Sequence, residues 1–263
     1  MLAACHGSKD IAEPAGTPSH AEVSADAPAA RTTETPSSGP LASTAQVTRE
    51  PATVERLEVP NDAPAFVVRG APGATLHTVF MPGRCSNAYA YLLSFPEAAR
   101  AHGGIVAIEG DEPCGPPSSG FHTLSWNPTR QHARITAALA AAGVSPPEHG
   151  ITLVGYSSGA SVAELMHAEG PSRYPRLLLI APPVDPQMSR LRDAQAVVTM
   201  ACSLDVTSRM KVAAQRLRAL DVPSEYVEMP GCTHGNVADG ERLFGDAFEW
   251  LDRQGAMAEA KGS

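Results

Sequence analysis

No apolar run in this sequence comes near the roughly 20 residues that a membrane-crossing helix needs, so nothing in the chain reads as a membrane span. Lysine and arginine are not clustered, and the net charge is a mild -8. A nucleic-acid partner, which needs a basic face to neutralise phosphates, is therefore not expected. There is no Cys-x-x-Cys and no paired-histidine spacing, so no metal site is expected, and no motif asks for a cofactor. No internal repeat is visible. Large aliphatic and aromatic residues are almost missing from residues 6–52, where Ala, Pro, Ser, Thr, Glu and Gly dominate. Such a stretch cannot bury enough apolar surface to offset the entropy of ordering it, and reads as a disordered tether over 1–52. Residues 53–263 carry regular apolar runs and suffice for one buried core.

The first residues carry a possible address. Leu2-Ala3-Ala4-Cys5 resembles a bacterial lipobox, which implies lipidation of Cys5 after cleavage before it. Lipoprotein precursors have a basic start and an apolar stretch upstream. Neither precedes Leu2, so this reading takes Met1 as an internal start. The long tether after Cys5 suits a domain standing off a membrane. The alternative is a cytosolic protein with a floppy tail.

Within 53–263, apolar strand candidates alternate with helical stretches. Residues 54–59 and 65–69 open the domain. Residues 76–81 and 104–109 are apolar enough to be covered on both faces. Further strands are expected at 151–154, 177–181, 196–201 and 225–229. Helices are expected at 88–102, 128–142, 160–166, 209–220 and 243–251, the second closed by Gly143. Alternation of this kind predicts a mostly parallel sheet of about eight strands with helices on both faces.

The most specific signal is Gly155-Tyr156-Ser157-Ser158-Gly159, set between the strand at 151–154 and the following helix. Strand, Gly-x-Ser-x-Gly, helix is the nucleophile elbow. The turn strains the backbone of Ser157 and raises its hydroxyl above the sheet edge. The flanking glycines are needed where a side chain would strike a neighbouring strand or helix. A serine hydroxyl is a poor nucleophile until an imidazole takes its proton, and the imidazole needs a carboxylate behind it. The expected order is Ser, then acid, then His. His234, in Pro230-Gly231-Cys232-Thr233-His234-Gly235-Asn236, is the only histidine after residue 205. Asp205, just past the strand at 196–201, is the preferred acid. Asp185 is its rival, and Asp205 could instead cap the next helix. Glu164 and Asp111 read as solvated surface groups. For an oxyanion hole, the amide of Ser158 is one donor. The other is expected in Pro82-Gly83-Arg84-Cys85-Ser86, at Arg84 or alternatively Cys85.

On the elbow, Asp205 and His234, residues 54–251 resemble an α/β-hydrolase. Many members carry His-Gly in the oxyanion loop, where this chain has Pro82-Gly83. The strand order of that fold would place Cys85 and Cys114 after neighbouring strands, and Cys202 and Cys232 likewise. Two disulfides in those pairings would suit an oxidising compartment; four free thiols are the alternative. About a dozen residues separate the strands at 177–181 and 196–201, too few for a helical lid or cap domain. The resemblance therefore implies a lidless serine esterase, similar to dienelactone-hydrolase-like proteins and small carboxylesterases, acting on a small or polymer-end ester. Loops 111–121 and 121–130 would wall the pocket, with Trp126 either on the substrate or packed on the domain. A peptidase or acyltransferase using the same triad, and a binding protein on this fold, are the other readings. The bacterial cell envelope is the expected location, with any membrane contact made through the lipid at Cys5.

Overall fold

The computed structural model of the protein describes residues 50–262. Cys5, and the expected tether up to residue 49, lie outside them. The strands are β1 (Glu55–Leu57), β2 (Ala65–Arg69), β3 (Thr78–Met81), β4 (Gly104–Ile108), β5 (Glu112–Pro113), β6 (His122–Thr123), β7 (Thr152–Tyr156), β8 (Arg176–Ile180), β9 (Ala196–Cys202) and β10 (Ser224–Met229). The helices are α1 (Ala88–Leu92), α2 (Pro96–Ala101), α3 (Pro128–Ala141), α4 (Ser158–Glu169), α5 (Met188–Leu191), α6 (Thr207–Arg218) and α7 (Gly240–Gly262).

Eight strands form one sheet in the order β1-β2-β4-β3-β7-β8-β9-β10. β2 runs antiparallel to both β1 and β4, and the pairings from β4 to β10 are parallel. The central strands β3, β4, β7, β8 and β9 are buried at every residue, as strands covered on both faces must be. Alternate side chains divide between two cores. Val79, Val106, Leu153, Leu177 and Val197 face α3 and α4. Phe80, Ala107, Val154, Leu178 and Val198 face α1, α2 and α7, where Phe95 stacks on Phe244 with ring centroids 3.8 Å apart.

Three features depart from the sequence expectation. The single helix expected over 88–102 is broken in two. Proline has no N–H to continue a ladder and is favoured in a first turn, so Pro96 starts α2 while α1 ends at Leu92. The short β5–β6 hairpin was not foreseen. The carboxylates read as surface groups are buried. Glu164 accepts from the Gln187 N–H and from Arg190, each at 3.2 Å. Asp111 is held by the Ser125 N–H and Oγ, both at 2.7 Å, and by Gln131 at 2.9 Å and Arg130 at 2.6 Å. Burial raises the Asp111 carboxyl, but the Ser125 and Gln131 hydrogen bonds and the Arg134 charge outweigh it and leave it below the usual range. For Glu164 burial prevails over its bonds to Gln187 and Arg190, and its carboxyl lies above that range.

Candidate active site

The parallel strands deliver the candidate residues to one edge. β7 ends at Tyr156, and Ser157 turns the chain into α4 with φ 51° and ψ -120°. That left-handed conformation is uncommon for a residue with a side chain, and its neighbours show what enforces it. A Cβ on Gly155 would stand 2.4 Å from Ala160 Cα, and one on Gly159 would stand 2.2 Å from the Met81 carbonyl oxygen. α4 and β3 can approach the turn this closely only if both positions are glycine. The amide of Ser158, the first residue of α4, therefore sits at the positive end of the helix beside Ser157.

The loop after β3 lies against the same serine. A Cβ on Gly83 would be 3.2 Å from Ser157 Cβ. Ser86 Oγ donates to the Gly83 carbonyl at 2.7 Å, and Cys85 has φ 52°. Arg84 lies in the turn between them. Cys85 is bonded to Cys114 with Cα atoms 5.8 Å apart, and Ser86 bridges to His122 of β6. The hairpin missed in the sequence thus braces the loop that carries Arg84. Phe121 and Trp126 are 45% and 55% exposed, so Trp126 does not pack into the domain.

Across the site, Cys202 at the end of β9 is bonded to Cys232 after β10, with Cα atoms 5.0 Å apart. Asp205 and His234 lie three and two residues beyond those cysteines. The Leu204 N–H donates to the Cys232 carbonyl at 3.1 Å and the Gly231 N–H to Ser203 Oγ at 2.8 Å, which ties the two loops side by side. His234 bridges the group: Nδ1 is 2.7 Å from Asp205 Oδ2 and Nε2 is 2.9 Å from Ser157 Oγ. Burial alone would raise the Asp205 carboxyl. The bonds from His234 and the Val206 N–H, with the Arg209 charge, hold it below the usual range instead. Asp205 does not cap α6, which begins without a side-chain cap. The rival Asp185 pairs with Arg209 at 2.8 Å and does not meet His234.

The structure thus brings together Ser157, Asp205, His234, the Ser158 amide and the loop of Arg84, with the four cysteines bonded in the two expected pairs. It adds Tyr156, which the sequence presented only as the variable position of the elbow. The segment between β8 and β9 holds nothing larger than the one-turn helix α5, so among the described residues no cap covers the site, and the His234 side chain is 46% exposed. Among the described residues no group of acidic, histidine or cysteine side chains could hold a metal ion, and no helix is long and apolar enough to cross a membrane.

No protein-family model matches the chain, and no curated protein matches it either. Solved structures do. A hyperthermophilic esterase from the archaeon Pyrobaculum calidifontis superimposes with a TM-score of 0.53 at 14% identity, over 80% of this chain and 86% of its own. The carboxylesterase CesB of Bacillus subtilis gives 0.52 at 11% identity, over 76% and 92%. The fluorophosphonate-binding serine hydrolase F of Staphylococcus aureus gives 0.51 at 10% identity, over 78% and 98%. At these identities the likeness speaks for the fold alone. With its mostly parallel eight-stranded sheet, helices on both faces and no cap domain, the chain has the α/β-hydrolase fold.

Proposed function

We propose that this protein is a serine hydrolase that cleaves carboxylic esters through an acyl-enzyme. The observation that carries the reading is His234, within hydrogen-bond reach of Ser157 Oγ on one ring nitrogen and of Asp205 on the other. Ser157 Oγ attacks the ester carbonyl as His234 Nε2 takes its proton. Asp205 holds the imidazole in the tautomer that leaves Nε2 free and stabilises the imidazolium. The amides of Ser158 and Arg84 hold the oxyanion. His234 then protonates the departing alcohol, and the acyl group stays on Ser157. A water, giving its proton to His234, attacks that ester and releases the acid. The uncapped site supports a small or polymer-end substrate, for which exposed Trp126 and Phe121 offer apolar contact. The two disulfides support an oxidising location, and we read that location as the bacterial cell envelope, with Cys5 as its lipid anchor.

A fluorophosphonate tests the nucleophile without knowledge of the substrate. Ser157 Oγ would bond to phosphorus as fluoride leaves, and mass spectrometry of the full-length oxidised protein locates the adduct. Labelling at Ser157 that is lost in Ser157→Ala and His234→Ala is the expected result, and an unlabelled folded protein overturns the reading. Parallel assays with esters, peptides and acceptor alcohols separate an esterase from a peptidase or acyltransferase.

A further inference from the structure

His234 sits on a loop that solvent reaches from residue 233 to residue 236. A residue so exposed has little packing to fix it, yet general-base catalysis tolerates displacements of only a few tenths of an ångström. The loop is tied before His234 by the Cys202–Cys232 bond and the contacts to Ser203 and Leu204. Internally it is a turn in which the Asn236 N–H donates to the Thr233 carbonyl at 3.2 Å, and Asn236 Nδ2 to Thr233 Oγ1 at 3.1 Å. Neither bond fastens the far side of the turn to the sheet.

Val237 and Ala238 pack against the core just beyond it, but at Gly235 and Asn236 themselves the tie is a tyrosine. The Tyr156 hydroxyl accepts from the Gly235 N–H at 2.9 Å and donates to the Asn236 carbonyl at 3.1 Å. Its own hydrogen-bonding capacity is thereby used on the two residues after His234. The ring that carries the hydroxyl is fully buried and stacks on Tyr91 with centroids 4.8 Å apart. Its edge meets the His234 ring at 5.7 Å and 69°. Tyr156 is also the last residue of β7, bonded directly to Ser157.

We propose that Tyr156 is the positioning residue for the base: its hydroxyl pins the Gly235–Asn236 peptide and so sets the distance between the His234 imidazole and the Ser157 hydroxyl. The inference rests on the triad reading. It makes one rigid side chain the shared reference for nucleophile and base, so that a displacement of β7 carries both together.

Tyr156→Phe keeps the buried ring and removes only the oxygen. Tyr174→Phe is the comparison, a buried tyrosine at the opposite end of the sheet whose hydroxyl bonds His132 Nδ1 at 2.7 Å. In the full-length oxidised protein, Tyr156→Phe should lower kcat by about ten- to a hundredfold, with KM within about twofold. Fluorophosphonate labelling should slow in step. The Gly235 amide, followed by hydrogen exchange, should lose its protection by about tenfold or more. Tyr174→Phe should leave kcat and Gly235 exchange unchanged even where it lowers the melting temperature as much. Unchanged Gly235 exchange in Tyr156→Phe, or unchanged kcat in an active enzyme, overturns the proposal. If the wild type neither labels nor hydrolyses esters while Gly235 exchange still responds to Tyr156→Phe, the hydrolase reading fails and the anchoring role stands.

Discussion

Removing the Cys202–Cys232 disulfide should weaken the fold by an amount that chain statistics set in advance. The two cysteines are 30 residues apart, and Cys85 and Cys114 are 29 apart. Closing a loop of about 30 residues in the unfolded chain removes entropy worth about 3–4 kcal/mol at 25 °C. The dependence on loop length is logarithmic, so the one-residue difference between the bridges is immaterial. Replacing both cysteines of either pair by alanine should therefore lower the unfolding free energy by about 3–4 kcal/mol. For a domain of this size that corresponds to roughly 10 °C in melting temperature, at about 2–4 °C per kcal/mol. Guanidinium titration of the oxidised wild type and of the two double variants reads the stability. Ester turnover well below the melting range reads the site. The stability losses should match, but the functional effects should differ. One bridge holds the loops of Asp205 and His234 together, and the other holds the loop that presents Arg84. Loss of the first should slow labelling of Ser157 by weakening its activation. Loss of the second should leave Ser157 activated and chiefly reduce stabilisation of the oxyanion. A loss under about 1 kcal/mol for either pair, or a gap of more than about 2 kcal/mol between them, would refute the loop-closure reasoning.

Other perturbations test the site and its supports. Asp205→Asn should cut kcat by about 10⁴, because an amide favours the wrong imidazole tautomer, while the melting temperature moves little; steady-state kinetics beside calorimetry checks this. Gly159→Ala drives a Cβ into the Met81 carbonyl, and should cost about 1–3 kcal/mol and at least about a hundredfold in turnover. Gly115→Ala, where nothing lies within 4 Å, should be neutral in the same assays. At the opposite end of the sheet, burial raises the Asp252 carboxyl, but hydrogen bonds from His102 and His77 outweigh it and hold it at about 2. A depressed carboxylate contributes stability that is complete above the ordinary aspartate range near 4 and is lost as pH falls towards about 2. Asp252 is partly exposed, so solvent screening leaves about 1 kcal/mol. Asp252→Asn should lose that amount at neutral pH, with the gap to wild type closing across the same acid window in denaturation curves.

The central strands were legible because fully buried strands are written as largely apolar runs, unbroken at Leu177 to Ile180 and interrupted only by Thr199 between Val197 and Met200. The elbow was legible because its motif is contiguous in the chain, with Gly155 answering to Ala160 in the same turn, although the contact that requires Gly159 is with Met81 of β3. The remainder depended on partners distant in the chain. Nothing around Glu164 announces Arg190, and nothing around Asp111 announces Gln131 or Arg134. A two-residue strand such as β5 is too short to show alternation. The break before Pro96 was hidden by apolar residues that continue across it from Ala88 to Ala99. Tyr156 shows in the sequence only as the variable position of the elbow, because the backbone groups that its hydroxyl meets lie some 80 residues further on.

The two outermost strands bear on how copies of the protein meet. β1 is three residues long, with Glu55 and Arg56 exposed, and Glu55 pairs with Arg69 at 3.0 Å. β10 presents Glu225 and Glu228 to solvent, and Lys211 lies 2.9 Å from Glu228. An open strand edge is a template on which another chain can add, and short, charged edges discourage it. Many copies held at one surface would collide edge to edge far more often than in dilute solution. The charges at both rims would discourage such collisions from growing into a continuous intermolecular sheet.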